Sequence, residues 1–405
     1  MPWLASSVTE QRLRFVVLAS RPGRSMTELC REFGISRTTG YTWLERFESG
    51  GAAQVVEKSR RPRHTPRRTP AQIEQAIVEL RRQWPDWGAP KLAQLLAQQH
   101  PEARPLAVRT VHRILKRHGL IEPHSGQGQA TERFERRAPN ELWQMDFKGP
   151  QGFNRGSPVG PLSILDDHSR YLLALQHLGS TRMSGVRSTL ESTFENAGVP
   201  DQMLVDHGIP WWNPASPWGL SELSVWIMRQ GVELLFSGIR HPQTQGKVER
   251  MHGALQRAIR RRKQDPEQQS WLDLFRHEYN HVRPHEGIGM ATPASRWRPS
   301  VRRFQADPHD WEYDGDHIVA RLAGQGQLWW RGRRYEISRA LRGQTVGIQV
   351  LGERALVYFC RTPLRELDLR TGCSFPIPLD VAGFYSAGQG KGPQTPAPFP
   401  APYPR

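Results

Sequence analysis

Apolar positions in this chain recur with two different periods, and the change of period divides it. Across residues 8–48 the spacing is helical. Ser25-Met-Thr-Glu28 has the form of a capping box and predicts a helix with Met26, Leu29, Cys30 and Phe33 inside. Gly34 supplies a turn, and Ser36 caps a second helix, Arg37 to Phe47, with Tyr41, Leu44 and Phe47 as its inner face. A second helical group is predicted over 69–122. Thr69 and Pro70 open it, and Ile73, Ala76, Ile77 and Leu80 form its first stripe. Trp84-Pro-Asp-Trp-Gly88 interrupts it, Ala89–Leu96 resumes it, and Val108–His118 ends it with Val111, Ile114 and Leu115 inside.

From 138 to 298 short apolar runs alternate with helical stretches. Leu142–Lys148, Leu162–Leu165, Tyr171–Leu175, Gln202–Val205 and Val232–Phe236 predict strands. Helices are predicted from Thr181, after the Trp/Pro-rich Pro210–Pro214, over Gln245–Arg262 and over Ser270–Arg276. Residues 312–372 hold five more short strand patterns with glycine turns, which predict a small β-barrel. Residues 374–405 predict a Pro/Gly-rich tail without regular structure. The whole is a multidomain α+β chain.

Charge adds a partner. Lys and Arg total 56 against 39 Asp and Glu, the formal net charge is +17, and the pI is about 10.5. That excess favours a polyanion, nucleic acid first. Cys30, Cys360 and Cys373 form no CxxC pair, which excludes a Cys-pair zinc finger and gives no disulfide framework. No apolar run approaches the roughly 20 residues of a membrane span, and the N-terminus lacks a signal-peptide layout. A reducing compartment where DNA is accessible fits: cytoplasmic, nucleoid-associated, no membrane.

The basic residues are placed accordingly. Arg37, Thr38, Thr39, Thr42 and Arg46 lie outward on the second helix of the first unit, as on a recognition helix in a major groove. Residues 51–68 predict a basic linker; its stretch 58–68, with Arg60, Arg61 and Arg63, holds six Lys or Arg and no acid. It serves either as an arm along phosphates or as a solvated tether. Arg109, Arg113 and Arg117 recur at four-residue steps on the outer face of the last helix of the second unit. A stripe with no acid among them favours phosphate contact.

The chemistry rests on three acids. Asp146 and Asp206 stand at or near strand ends, and Glu249 stands one turn into a helix, beside its buried stripe of Val248, Met251, Leu255 and Ile259. Two-metal phosphoryl transfer needs carboxylates that converge on ions about 3.5–4 Å apart, and Mg²⁺ takes hard oxygen ligands. Asp166 and Asp167 also follow a strand, but in Asp-Asp-His-Ser-Arg turn formation explains them.

Several strings then combine. Asn140-Glu-Leu-Trp-Gln-Met-Asp146-Phe-Lys, Leu165-Asp-Asp-His-Ser-Arg-Tyr, Val205-Asp206-His-Gly, His241-Pro-Gln-Thr-Gln-Gly-Lys-Val-Glu249-Arg and Tyr279-Asn-His-Val-Arg-Pro-His285 together resemble the integrase-type core of D-D-E transposases. Bacterial insertion-sequence members of the retroviral-integrase superfamily, with N-terminal helix-turn-helix units, are similar. The resemblance implies a ribonuclease-H-like α/β core over 138–298, between helix-turn-helix units at 8–50 and 69–122 and the C-terminal barrel. It implies that Asp146, Asp206 and Glu249 are catalytic and bind Mg²⁺ or Mn²⁺, two ions per site. His241, Gln243, Lys247 and Arg250, with Arg257 and Arg260 further along the helix, would hold DNA. The partners implied are double-stranded DNA, both element ends and target, and further copies of the chain in a homo-multimer. A catalytically inactive integrase-fold DNA-binding regulator or target-selection protein is the alternative, against which the complete triad argues.

Two departures stand out. More residues separate Asp206 from Glu249 than the resemblance leads one to expect, and the extra ones fall in Trp211–Leu220, expected as a surface loop. His207 stands where Asn is more familiar.

Overall fold

The computed structural model describes residues 8–56, 69–102, 104–121, 135–149, 159–214, 219–237, 246–262 and 269–377. It divides into two units, residues 1–70 and 71–405.

In the first unit, α1 (Val8–Ala19), α2 (Met26–Glu32), α3 (Arg37–Gly50) and α4 (Ala52–Val55) enclose Phe15, Val16, Leu29, Cys30 and Val55. Ser36 caps α3 as expected, accepting from the Thr39 N–H at 3.2 Å. Ser25 precedes α2 but makes no cap hydrogen bond, so the capping box does not form. The inner face of α3 also differs. Tyr41 is exposed, and buried Gly40 takes the inward position, where a Cβ would stand 2.6 Å from the Cys30 sulfur and 3.0 Å from the Phe15 ring. Because the backbone itself forms the contact there, the apolar stripe misses it. Val55 is fully buried, so the start of the expected linker belongs to this unit, and Arg60, Arg61 and Arg63 lie outside the described residues.

The second unit opens with α5 (Ala71–Gln83), α6 (Ala89–Gln99) and α7 (Val108–Arg117) around Ile77, Leu80, Leu92, Leu96, Val111, Ile114 and Leu115. The break between α5 and α6 is a stacked pair, Trp84 on Trp87 at 4.3 Å, which belongs to the same core.

The sheet that follows contains β1 (Leu142–Phe147), β2 (Leu162–Asp166) and β3 (Leu172–Gln176), then α8 (Met183–Ala197), β4 (Gln202–Val205), α9 (Glu222–Arg229) and β5 (Glu233–Phe236). After them come α10 (Gly246–Arg262), α11 (Gln269–His281) and α12 (Pro293–Arg296). Strand order is β3-β2-β1-β4-β5, with β1 antiparallel to β2 and parallel to β4. Side chains alternate between faces, as the pleat requires. Trp143, Met145, Ile164, Met203 and Phe236 pack with α8 and α9. Leu165, Leu172 and Leu175 pack with α10 and α11. This mixed sheet with helices on both faces fits the ribonuclease-H-like core.

The C-terminal strands are β6 (His317–Arg321), β7 (Gln327–Trp330), β8 (Arg333–Glu336), β9 (Thr345–Leu351), β10 (Arg354–Phe359), β11 (Thr362–Asp368) and β12 (Ser374–Pro376). Among the described residues they form an open five-stranded antiparallel sheet, β12-β11-β10-β9-β6, and a separate β7–β8 hairpin rather than a closed barrel. Two strands exceed expectation. In β11 the alternation is masked because buried Arg365 stands among the apolar positions, and β12 lies within the expected tail. The residues of that tail beyond 377 lie outside the described residues. No helix among the described residues is long and apolar enough to cross a membrane.

Candidate active site

The pleat of β1 sends Gln144 and Asp146 to the face that α10 covers. Ser163 stands opposite Asp146 across β1–β2, and the α10 residue His252 reaches down between them. Its Nε2 is 2.8 Å from the Ser163 hydroxyl, and its Nδ1 lies 3.7 Å from Asp146 Oδ2. Burial first, then the charge of Lys148, lowers His252 to about 3, so the ring is neutral.

The first turn of α10 is tied to the sheet by polar groups. The Val248 N–H donates to Gln144 Oε1 at 3.4 Å, the Gln144 amide donates to Asp167 Oδ1 at 2.9 Å, and the Lys247 ammonium pairs with the same oxygen. Glu249 is the next residue, and it is exposed. Asp166 and Asp167 are therefore more than turn formers. Both are fully buried. Asp166, the last residue of β2, accepts from the Asn140 and Ser169 N–H groups, each at 2.7 Å, and from the Ser169 hydroxyl at 2.6 Å. Asp167 also accepts from the Arg136 N–H at 2.8 Å. Asn140 makes its bond from left-handed backbone at φ 69°, a conformation Asn tolerates.

Asp206 follows β4. Its Oδ1 accepts from the Gly208 N–H at 2.9 Å and from the Trp211 indole N–H. Trp211 is 1% exposed, stacks on Phe147 at 5.7 Å, and accepts the Ser224 hydroxyl on its carbonyl. Trp212 packs on His207 and Phe236, and its ring closes over Gly219. The described part of the Trp211–Leu220 stretch is thus a buried aromatic wedge, not the expected surface loop. The two tryptophans were the available signal, since side chains of that size seldom sit on a free loop.

Asp146 registers its neighbours. Its carboxyl is raised from 3.8 to about 7, first by burial and then by the charge of Asp206, with Glu249 adding to it. Asp206 Oδ2 has no hydrogen-bond partner among the described residues. Carboxylate oxygens that repel one another, one of them open, suit Mg²⁺ or Mn²⁺ in kind. Among the described residues no three His, Cys, Asp or Glu side chains lie close enough to hold one ion.

The residues expected to meet DNA divide. Arg37, Thr38, Thr39 and Thr42 are exposed on α3, with Tyr41 beside them, while Arg46 is half-buried and stacks on Trp43 at 4.7 Å. Arg109 and Arg113 are exposed, but Arg117 pairs with Glu74 of α5 at 2.9 Å, an acid the stripe itself could not reveal. Arg250 and Arg260 are exposed and Arg257 is half-buried on α10. Lys247 is committed to Asp167, so it braces the helix rather than standing free beside it. His241 and Gln243 lie outside the described residues.

Several family models match the chain. A helix-turn-helix domain matches residues 11–63, a homeodomain-like domain 39–115, and integrase core domains 136–242 and 230–293. Among solved structures, a simian T-cell lymphotropic virus intasome in complex with the PP2A regulatory subunit B56 gamma is similar. It has 14% identity, covers 75% of this chain and 95% of that one, and gives a TM-score of 0.36. The HTLV-2 integrase catalytic core domain in complex with magnesium, in its trimeric form, is similar at 13% identity. It covers 40% of this chain and 97% of that one with a TM-score of 0.32. The domain matches, not these loose overlays, carry the assignment: a DNA-binding and recombination role, with nucleotidyl transfer as the chemistry of the superfamily. With helix-turn-helix domains ahead of an integrase core, the chain belongs to the insertion-sequence-type transposases of the integrase superfamily.

Proposed function

We propose that this transposase binds the ends of its mobile element as double-stranded DNA, cuts there, and joins the freed 3′-hydroxyl to target DNA as a homo-multimer. One observation supports this most: Asp146, from β1, carries the electrostatic imprint of both Asp206, from the end of β4, and Glu249, from the first turn of α10. Three sequence-distant acids brought within mutual influence, two of them from neighbouring central strands, are a poor device for stability, because each opposes the ionisation of the next. They are a suitable device for holding cations.

When bound, two Mg²⁺ or Mn²⁺ ions would supply Lewis-acid activation of the attacking oxygen and stabilisation of the leaving one. The chain's own contributions are positional. Asp146 must release a proton held near neutrality before it acts as a ligand. Trp211 and Gly208 fix Asp206 through Oδ1 and leave Oδ2 presented. Gln144 and the Asp167–Lys247 pair fix the turn that carries Glu249. No covalent protein–DNA intermediate is required, since the nucleophiles are water and a DNA hydroxyl.

The test incubates purified protein and its Glu249→Gln form, with Mg²⁺ or Mn²⁺, with duplexes from the DNA flanking its own gene. Metal-dependent nicking and joining by the unsubstituted protein alone is the expected result. Tight binding without cleavage by either form would replace the enzyme with a DNA-binding regulator.

A further inference from the structure

The segment Tyr279-Asn-His-Val-Arg283-Pro-His285 does more than end α11. Arg283 is 8% exposed, and its Nε has no hydrogen-bond partner. Its guanidinium lies over the buried Tyr279 ring at 5.5 Å. A buried guanidinium is costly unless paired, yet among the described residues no carboxylate lies within ion-pair distance of Arg283. Each acid nearby is already matched. Glu286 holds Lys91 of α6, Asp86 and Glu278 hold Arg262, and Glu135 holds Arg170 and Arg296.

Asp86 and Glu286 lie within electrostatic reach of Arg283 along with Arg262, and beyond those matched acids the surroundings are basic. His285 lies within electrostatic reach of Arg283, Arg170, Lys91 and Arg250, and Arg257 lies within reach of Arg283, Arg261 and Arg260 and of one acid, Asp86, which Arg262 already holds. His285 accepts the Gly287 N–H on Nδ1 at 3.1 Å, which puts its own ring proton on Nε2. Arg250 and Arg257 are seven residues apart on α10, so they share a face about 10 Å long. Neither makes an ion pair among the described residues. An arginine floor with lysine, histidine and further arginines about it, and one negative charge missing, matches the chemistry of a phosphate.

We propose that Arg283, Arg257 and Arg250, with Lys91 and His285 at the margin, form a socket for one backbone phosphate of the DNA strand engaged by the core. Arg250 directly follows Glu249, so a phosphate held here sets how far along the strand the acids act. This rests on the DNA-processing reading above and adds to it a buried anchor in the motif after α11.

The test measures binding of the full chain to a random-sequence duplex across a salt series, for the unsubstituted protein, Arg283→Gln, Arg257→Gln and the double variant. One lost phosphate contact lowers the slope of log K against log salt by about one. Each single variant should show that drop with about ten-fold weaker binding, and the double variant should lose no more slope than either, since both serve one phosphate. An unchanged slope in both singles overturns the socket, and a lowered melting temperature with that slope makes Arg283 a packing residue on Tyr279. If Arg283→Gln does not fold, Arg257→Gln decides. Inorganic phosphate that stabilises the protein while the DNA slopes stay unchanged would assign the site to free phosphate and overturn the DNA assignment. A parent chain that binds no duplex overturns the DNA-processing reading itself, an outcome distinct from loss of the socket.

Discussion

Two pairs of aspartates stand at strand ends of the same sheet and are treated in opposite ways. Asp166 and Asp167 are fully buried, and between them they take hydrogen bonds from three backbone N–H groups, a hydroxyl, an amide and an ammonium. Asp146 has the Phe147 N–H and a neutral imidazole nearby, and Asp206 is satisfied on one oxygen only. Asp146 and Asp206 are half-buried rather than fully buried, but burial is the lesser difference. The greater is whether the protein has supplied every donor the carboxylate can use; an acid left short is one that an external cation can complete.

The sharpest way to break this comparison is to neutralise each pair. Asp146→Asn or Asp206→Asn should reduce strand transfer at least about a thousand-fold, because several kcal/mol of transition-state stabilisation would act through ions held there. The melting temperature in chelator should hold or rise. If gel assays instead show activity intact, the pairs have been assigned the wrong way round. Asp167→Asn should do the reverse in stability. It removes the negative charge that faces the Lys247 ammonium, 15% exposed, and should cost about 3–5 kcal/mol in denaturant unfolding.

A smaller effect is expected at Trp211. Trp211→Phe keeps an aromatic ring against Phe147 but removes the N–H on Asp206, and should weaken the magnesium dependence of activity about ten- to a hundred-fold. A loss of maximal rate that saturating magnesium does not restore would mean the ring packs without positioning.

The electrostatics give a fourth measure. Asp146 is raised from 3.8 to about 7 by burial and its two acidic neighbours. A group raised on folding contributes stability that is present below its unfolded pKa and lost as pH rises through the folded one. In chelator the protein should therefore lose about 1 kcal/mol between pH 6 and 8, and Asp146→Asn should not. Thermal melts across that window decide it. The smallest effect lies on α7. Arg117 has Glu74, so Arg117→Gln should cost at most about 1 kcal/mol and little DNA affinity. Arg113→Gln should weaken DNA binding and its salt dependence.

Much of this organisation was legible in the sequence, because apolar period and cap chemistry are local. Strands β1 to β5 and helices α5 to α7 follow their patterns within a few residues. The parts that escaped depend on partners distant in sequence. Asp166 and Asp167 looked like a turn because their donors come from Asn140, Gln144 and Lys247. Arg117 looked free because Glu74 lies on another helix. Trp211 fell in an unexpected insertion, and nothing local says that its indole would turn back to Asp206. Gly40 takes the inward position expected of Tyr41 because helices approach most closely where there is no side chain.

Finally, the C-terminal sheet and the α8–α9 face of the catalytic sheet share one apolar cluster, which runs from Trp143 and Phe194 to Leu341, Ile348 and Val357. Arg302 fastens the intervening segment by donating to the carbonyls of Pro200, Gln230 and Gly231. Gly198 allows that segment to pass, since a Cβ there would lie 2.6 Å from the Ser300 carbonyl. This sheet is therefore not a detachable module. A chain shortened before β6 would bare an oily flank, so the piece cannot be shuffled between relatives like a bead on a string, and the shortest folding version of this enzyme must include it.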